Sequence, residues 1–356
     1  MKRFFGNLAV MLLPFLLVEG AFRLLPVAYL PRIQPVSETS PVVRFEPNVE
    51  YRYSRDWNFS VVTHKRTNNF GFIHSADYRP EERSPLLAVI GDSLVEANQV
   101  ETGQSFAERL NTALGGRGRV YSLGISGAPL SQYLVYAEFA RDAFRPSAMA
   151  FVVAPNDFEE SLLKYKTEPR FHYFAEDGSL KRLDYELSTA KQVLRHSAAL
   201  RYIMQNLEAW HRVEALVKRP VAAAPQSEAR LADARRAVEF FLDQLPVKTG
   251  LRPDAIVFLL DPLRPALYAD PERVQNGLYG RTASYFAEQA TARGYEVVEL
   301  APAFLERHAR GEALEVGPTD SHWNARGHEL VAVELARSSV FGRTFPLLLS
   351  TTWNTQ

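Results

Sequence analysis

The run Leu86-Leu87-Ala88-Val89-Ile90 indicates the fold class, and it leads directly into Gly91-Asp92-Ser93. A continuous apolar run without polar alternation is typical of a parallel strand that is buried on both faces. An apolar stripe at helical spacing follows over 106–114, and a second strand-like run lies at 120–123. This alternation of strand and helix predicts a parallel α/β sheet with right-handed crossovers.

The same alternation continues towards the carboxyl terminus. Helical patterns at 130–137 and 283–293 are interleaved with three further strand candidates, at 149–153, 255–260 and 296–300. With the first two runs, these predict a sheet of about five parallel strands.

An insertion at 158–253 interrupts this pattern. It contains a hairpin signal at Asp177-Gly178, helical stretches near 188–218 and a helical pattern over 227–245, with Ser227 as a possible cap. The last of these is expected to be a crossover helix of the sheet. The insertion is either a lid or partner surface, or an elaboration without a function of its own.

The amino terminus predicts a membrane anchor over residues 1–25. Met1-Lys2-Arg3 precedes a mostly apolar run over 4–18, and a helix continued to Leu25 would be about 33 Å long. The basic residues before the run favour a cytoplasmic amino terminus, so we expect a single-pass protein of the inner membrane whose domain faces the periplasm. A cleaved signal peptide and a buried helix are the alternatives.

Residues 26–83 connect the anchor to the main domain, which is expected to span 84–345. Five prolines between positions 26 and 47 indicate an extended connector. Alternating stretches at 51–54 and 59–63 then predict a hairpin packed on that domain.

Composition excludes several classes of function. Lys and Arg together number 41, as do Asp and Glu, so no global charge favours nucleic acid. Because there are 0 cysteines, thiolate chemistry and disulfides are excluded. No metal site is expected, since Asp320, His322 and His328 lack a ligand-spaced partner set, and no cofactor is expected either.

Polar residues follow the predicted strands at the edge where an open parallel sheet carries its functional groups. Ser93 follows the first strand, Gly127 the second and Asn156 the third, and Asp320 and His322 lie beyond the fifth. A serine hydroxyl needs a base, which His322 can be, and Asp320 can orient the imidazole. Three donors could hold an oxyanion: the Ser93 N–H, the Gly127 N–H and the Asn156 amide.

These four blocks, in this order, resemble the SGNH (GDSL-type) hydrolase superfamily. Gly-Asp-Ser-Leu at Ser93, Ser-Gly-Ala at Gly127, Asn156 before Asp157, and Asp320 with His322 match its motifs over roughly 85–157 and 254–340. The resemblance implies a three-layer, flavodoxin-like α/β fold with a five-stranded parallel sheet. It implies a Ser93–His322–Asp320 triad and favours Gly127 over Gly124 in the oxyanion hole.

The last block departs from the usual pattern, because it reads Asp320-Ser321-His322-Trp323 where Asp-x-x-His is common. Asp-x-His-Trp is similar to the version in extracytoplasmic, polysaccharide-modifying members, including the alginate acetylation proteins. Asp92 is expected to accept a hydrogen bond that stabilises the turn and not to act as a catalyst, and Asp157 is expected to be structural. Trp323 either lines the pocket or fills the core.

The function expected from these features is an extracytoplasmic serine esterase that acts on an acyl ester, most simply an acetyl ester, of an envelope carbohydrate or lipid. Two alternatives remain open. One is a polysaccharide O-acetyltransferase that uses the same acyl-enzyme. The other is a non-catalytic scaffold, with the insertion binding partners in an envelope polysaccharide assembly.

Overall fold

A computed structural model describes residues 2–208, 228–318 and 320–346. The strands are β1 (Glu50–Arg55), β2 (Val61–Arg66), β3 (Leu86–Gly91), β4 (Arg119–Gly124), β5 (Ala148–Val153), β6 (His172–Phe174), β7 (Leu180–Arg182), β8 (Ile256–Leu260), β9 (Glu296–Glu299), β10 (Glu315–Gly317) and β11 (Asp320–Trp323).

The α-helices follow in the same way: α1 (Lys2–Leu24), α2 (Ser93–Glu96), α3 (Phe106–Leu114), α4 (Leu130–Phe144), α5 (Asp157–Glu160), α6 (Thr189–Leu194), α7 (Ala198–Arg201), α8 (Glu228–Thr249), α9 (Ala266–Ala269), α10 (Pro271–Asn276), α11 (Leu278–Ala292), α12 (Ala301–Ala309), α13 (Ala325–Arg337) and α14 (Ser339–Thr344). Tyr202–Asn206 forms a π-helical turn, and Thr102–Gln104 and Pro253–Ala255 form 3₁₀ turns.

The central sheet has five parallel strands in the order β4-β3-β5-β8-β9. This is the flavodoxin-like order, in which the first strand of the sheet lies between the second and the third. All residues of β3, β4, β5 and β8 are buried, as continuous apolar runs require, whereas the edge strand β9 is more accessible. The five predicted strands and the α/β fold class are therefore confirmed.

Helices cover both faces of the sheet and make the predicted three layers. One face carries α4, α8 and α11, whose side chains share a core cluster with Phe151 and Phe258. The other face carries α3, α12, α13 and α14, which pack on Val89, Val152 and Leu259. The crossover helix predicted at 227–245 is observed as α8, while Ser227 itself lies outside the described residues.

The insertion and the connector also contain the predicted hairpins. β6 and β7 pair around Gly178, and β1 pairs with β2. The second strand begins at Val61 rather than at position 59, because Phe59 adopts a left-handed φ of 58° that interrupts extended backbone. The helical region predicted near 188–218 forms α6, α7 and the π turn. Its remainder and the link at 220–225 lie outside the described residues.

The amino-terminal helix has nearly the predicted bounds. α1 covers Lys2–Leu24 and contacts α7. Within residues 2–208, 228–318 and 320–346, no helix combines the length and the apolar character that a membrane crossing requires.

Candidate active site

Ser93 lies where β3 ends and α2 begins, at the carboxyl edge of the sheet. The preceding Asp92 caps α2, since its carboxylate accepts a hydrogen bond from the Leu94 N–H at 2.9 Å. Burial raises the pKa of Asp92 above its usual value. Asp92 therefore has the structural role that was predicted for it, and it fixes the turn that presents Ser93.

Three side chains form a hydrogen-bonded chain that begins at Ser93. His322 Nε2 lies 2.9 Å from Ser93 Oγ, and His322 Nδ1 lies 2.6 Å from Asp320 Oδ1. Because an ionised carboxylate only accepts hydrogen bonds, Nδ1 carries the proton and Nε2 is free to accept the serine hydroxyl. The alternative acceptor, Asp92 Oδ2, lies farther from Ser93 Oγ, at 3.3 Å.

Strand geometry explains why one residue, rather than two, separates Asp320 from His322. Both belong to β11, in which alternate side chains point to the same side. Asp320 Oδ1 therefore accepts one hydrogen bond from the imidazole of His322 and another from its backbone N–H, the latter at 3.0 Å. Although burial opposes it, these hydrogen bonds hold the pKa of Asp320 below its usual value, so the group is ionised at neutral pH.

Sequence reasoning missed Arg55, a residue of the connector hairpin. Its Nη1 atom lies 3.2 Å from Asp320 Oδ2, the oxygen that faces away from His322. Arg55 also contacts Glu208 at 2.9 Å. No motif marked Arg55, because it lies in β1, far from the four blocks in sequence. The connector therefore contributes a charge partner to the predicted triad.

The predicted oxyanion donors line one cavity with the serine. Ser93, Gly127, Asn156 and His322 all border a cavity of about 410 Å³. Gly127 has a φ of 81°, a conformation that favours glycine, and its carbonyl accepts a hydrogen bond from Lys166 Nζ at 2.9 Å. Gly124 is absent from the lining, which favours Gly127 as the donor.

Gly124 instead allows close packing behind the nucleophile. A Cβ at this position would lie 2.7 Å from Val95 Cβ and 2.8 Å from the Asp92 carbonyl. A side chain there would push α2, and Ser93 with it, out of place.

Buried carboxyl groups hold the two loops that carry the oxyanion donors. Asp157 accepts hydrogen bonds from Tyr133 Oη and from the Ala154 N–H, both at 2.7 Å, and burial raises its pKa well above the usual range. It thereby fixes the turn that precedes Asn156, which is the structural role predicted for it. Glu96, which sequence reasoning missed, accepts the Ser126 N–H at 2.5 Å beside Gly127.

A third group that sequence reasoning missed, Asp261 with Arg264, supports β11. Asp261 accepts a hydrogen bond from Trp323 Nε1 and another from Arg264 Nη2, both at 3.0 Å, and Arg264 Nη2 also reaches the Ser321 carbonyl at 2.9 Å. Burial raises the pKa of Asp261 to about 6. Trp323 is fully buried, so of its two predicted roles it takes the one in the core.

The arrangement has the parts that acyl transfer requires. A hydroxyl faces an imidazole that can accept its proton, and a carboxylate holds that imidazole from behind. Potential donors for a developing oxyanion line the same cavity.

No family model matches the chain, and no curated protein matches its sequence. Among solved structures, a member of the lipolytic protein G-D-S-L family from Veillonella parvula is 12% identical, with a TM-score of 0.39, over 72% of this chain and 98% of that one.

Two further solved structures give similar values. A catalytic mutant of Axe2, an acetylxylan esterase from Geobacillus stearothermophilus, is 15% identical, with a TM-score of 0.40, over 73% of this chain and 95% of that one. LAE5, an α/β hydrolase enzyme from the metagenome of Lake Arreo in Spain, is 14% identical, with a TM-score of 0.41, over 74% and 97%. At such values the activity of this chain has to be argued from its own site.

Proposed function

We propose that this chain is a serine ester hydrolase. The observation that carries the proposal is the hydrogen-bonded chain from Ser93 through His322 to Asp320, with distances of 2.9 Å and 2.6 Å. These lie within the reach that general-base catalysis requires. Ser93 and His322 also share a cavity with Gly127 and Asn156, two of the proposed oxyanion donors.

The reaction would proceed in two halves. Ser93 Oγ attacks the ester carbonyl carbon while His322 Nε2 takes the hydroxyl proton, and the carbonyl oxygen becomes an oxyanion held by the donors of Ser93, Gly127 and Asn156. Collapse breaks the bond to the alcohol, which receives the proton from His322. Water then attacks the acyl-enzyme with His322 again as base, and the carboxylic acid and free Ser93 are released.

We further propose an acyl ester of an envelope carbohydrate or lipid as the substrate, with acetyl as the simplest acyl group. The cavity lining includes the polar side chains of Glu160, Lys166 and Arg264, which suit a hydroxylated ligand. Two alternatives remain. One is O-acetyl transfer to a sugar hydroxyl, which would use the same acyl-enzyme at Ser93, and the other is a non-catalytic scaffold role in a polysaccharide assembly.

A location at the inner membrane, with the domain in the periplasm, is part of the proposal. Its support is the sequence, namely the basic start at Lys2-Arg3 and the apolar run over 4–18.

The direct test is turnover of an acetyl ester with and without an oligosaccharide. We expect the purified full chain to release acetate from p-nitrophenyl acetate, and added oligosaccharide to leave acetate release unchanged. Acetylated sugar formed in place of acetate would establish the transferase instead. No turnover together with no labelling by a phosphonofluoridate would contradict both enzymes and leave the scaffold.

A second cavity favours a longer acyl group as a second candidate substrate. It has a volume of about 270 Å³ and a largely apolar lining that includes Phe158, Leu267 and Val274. It shares Pro155, Pro262 and Leu263, among others, with the cavity at Ser93. Since it follows the same sheet edge beyond β5, β8 and β9, an apolar chain that starts at Ser93 could enter it.

Chain-length preference decides between the two substrates. If the apolar cavity binds the acyl chain, kcat/KM should rise about fourfold per added methylene from acetate upwards until the cavity is full. Ala283→Trp, in α11 at the cavity wall, should then lower the octanoate-to-acetate ratio of kcat/KM at least tenfold.

The matched control is Ala292→Trp, because Ala292 is exposed at the end of the same helix and does not line the cavity. A flat chain-length profile, unaltered by Ala283→Trp, would leave acetyl as the acyl group.

A further inference from the structure

Exposed large apolar side chains are concentrated in one region of the molecule. Among the described side chains, they lie in α1 and the residues just after it, and in a group composed of Trp57, Val193, Leu194, Ile203 and Met204. We call this group the collar. The one exception is Val247, at the end of α8.

The collar adjoins the carboxyl end of α1. The Tyr202 ring packs at a tilt against Phe22 of α1, with ring centroids 4.5 Å apart, and its hydroxyl donates to the Trp57 carbonyl at 2.8 Å. Ile203 and Met204 follow Tyr202 directly in the chain. The collar residues of the hairpin turn and of the π turn therefore lie beside the end of α1.

Polar contacts fix the start of α7, and the turn that precedes it, against the same helix. The Glu19 carboxylate accepts hydrogen bonds from Ser197 Oγ at 2.8 Å and from the Ala198 N–H at 2.9 Å. Arg23 donates to the His196 carbonyl at 3.4 Å. Val193 and Leu194 lie just before this contact in sequence, so they too are held beside α1.

Residues 13–18 of α1 are exposed around the helix circumference and not on one face only. Phe15, Leu16, Leu17 and Val18 are consecutive, and each is at least 48% exposed. Four consecutive residues point in all directions around a helix, and a segment that is apolar all round is typically buried in a large protein core or in lipid. Because these four side chains are not covered by the described part of the chain, we infer lipid as their environment. A protein groove would bury one face and leave the others in water.

Arginine and aromatic side chains accompany the collar. Tyr29 lies between Arg195 and Arg201, with each guanidinium carbon 5.0 Å from the ring centroid. Aromatic rings and basic groups of this kind are enriched where a protein meets lipid headgroups.

We propose that the collar lies against a lipid bilayer and holds the catalytic domain at the membrane surface. This rests on the membrane location given above as part of the proposed function. Trp57 follows Arg55 by two positions, and Arg55 contacts Asp320 of the proposed triad. One hairpin therefore connects the collar to the catalytic site. An ester presented at the bilayer surface would thus meet a site held close to it.

The chain contains 0 cysteines, which allows single cysteines to report on each position. Leu194→Cys and Ile203→Cys report on the collar, Val18→Cys on α1, and Val247→Cys is the exposed apolar control. Each full-length variant is spin-labelled in nanodiscs of phosphatidylethanolamine and phosphatidylglycerol. Accessibility is then measured to oxygen, which partitions into lipid, and to a water-soluble nickel chelate.

We expect the oxygen-to-nickel accessibility ratio to be at least threefold higher at positions 194 and 203 than at position 247. Lipid-like values at position 18 with aqueous values at 194 and 203 would overturn the collar while leaving the anchor intact. Protection of 194 and 203 from both reagents would indicate a covering protein and would also overturn it.

Ester turnover by the protein in the same nanodiscs is a separate readout. Its absence would contradict the proposed hydrolase without changing any label's accessibility, whereas aqueous values at both position 18 and the collar would contradict the membrane location and the collar together.

Discussion

Ser93→Ala is expected to lower ester turnover by a factor on the order of 10⁴ or more. The activity that remains would come from substrate binding and oxyanion stabilisation alone. The substitution removes the only atom that can form the acyl-enzyme, while His322, Asp320 and the cavity remain. Because Ser93 begins α2 and the cap is supplied by Asp92, we expect the fold to persist. The measurement is kcat for p-nitrophenyl acetate, together with labelling by a phosphonofluoridate.

The matched control is Ser147→Ala. Ser147 is an exposed serine directly before β5, so it lies at the opposite edge of the sheet from Ser93. This variant should retain turnover and labelling. Turnover that survives Ser93→Ala would refute the proposed nucleophile, and a loss of turnover in both variants would point to damage to the sheet.

The sequence predicted the parts of the fold that depend on local pattern. Strand-like runs located all five strands to within a residue or two. The runs at 86–90, 149–153 and 255–260 are apolar at every position, which is typical of parallel strands that are buried on both faces. The last residue before β8, Ala255, belongs to a 3₁₀ turn and not to the strand. The short helices α9 and α10 were not predicted, since so few residues give no measurable period.

The motif residues of the site were predictable, but the residues that support them were not. Ser93, Gly127, Asn156 and His322 each follow a strand or belong to a recognisable block, and the structure brings them to one cavity. Arg55 reaches Asp320 from a hairpin near the amino terminus. A charged residue in an alternating strand has the same pattern whether it faces water or a catalytic carboxylate, so only the tertiary structure distinguishes the two.

Asp320→Asn is expected to lower kcat by a factor of about 10⁴ while the serine and the imidazole stay in place. An amide can present its NH₂ group to His322 Nδ1, which favours the tautomer that carries the proton on Nε2 and so cannot accept the Ser93 proton. The neutral side chain also fails to stabilise the imidazolium, and it removes the charge partner of Arg55 at Oδ2. The measurement is kcat and KM for p-nitrophenyl acetate, where a fall in kcat without a large rise in KM is the expected signature.

Asp142→Asn serves as the control, because Asp142 is 62% exposed and pairs only with its neighbour Arg141 among the described ion pairs.

Unfolding measurements separate the effect of Asp320→Asn on catalysis from its effect on stability. Since the folded pKa of Asp320 is lowered, its ionised form stabilises the fold above the usual Asp pKa of about 3.8 and ceases to do so as the pH falls through the lowered value. The difference in the free energy of unfolding between wild type and Asp320→Asn should therefore be largest at neutral pH and should decrease in acid. A kcat that is unchanged in Asp320→Asn would reduce the site to a Ser93–His322 pair and would leave Arg55 without a part in the reaction.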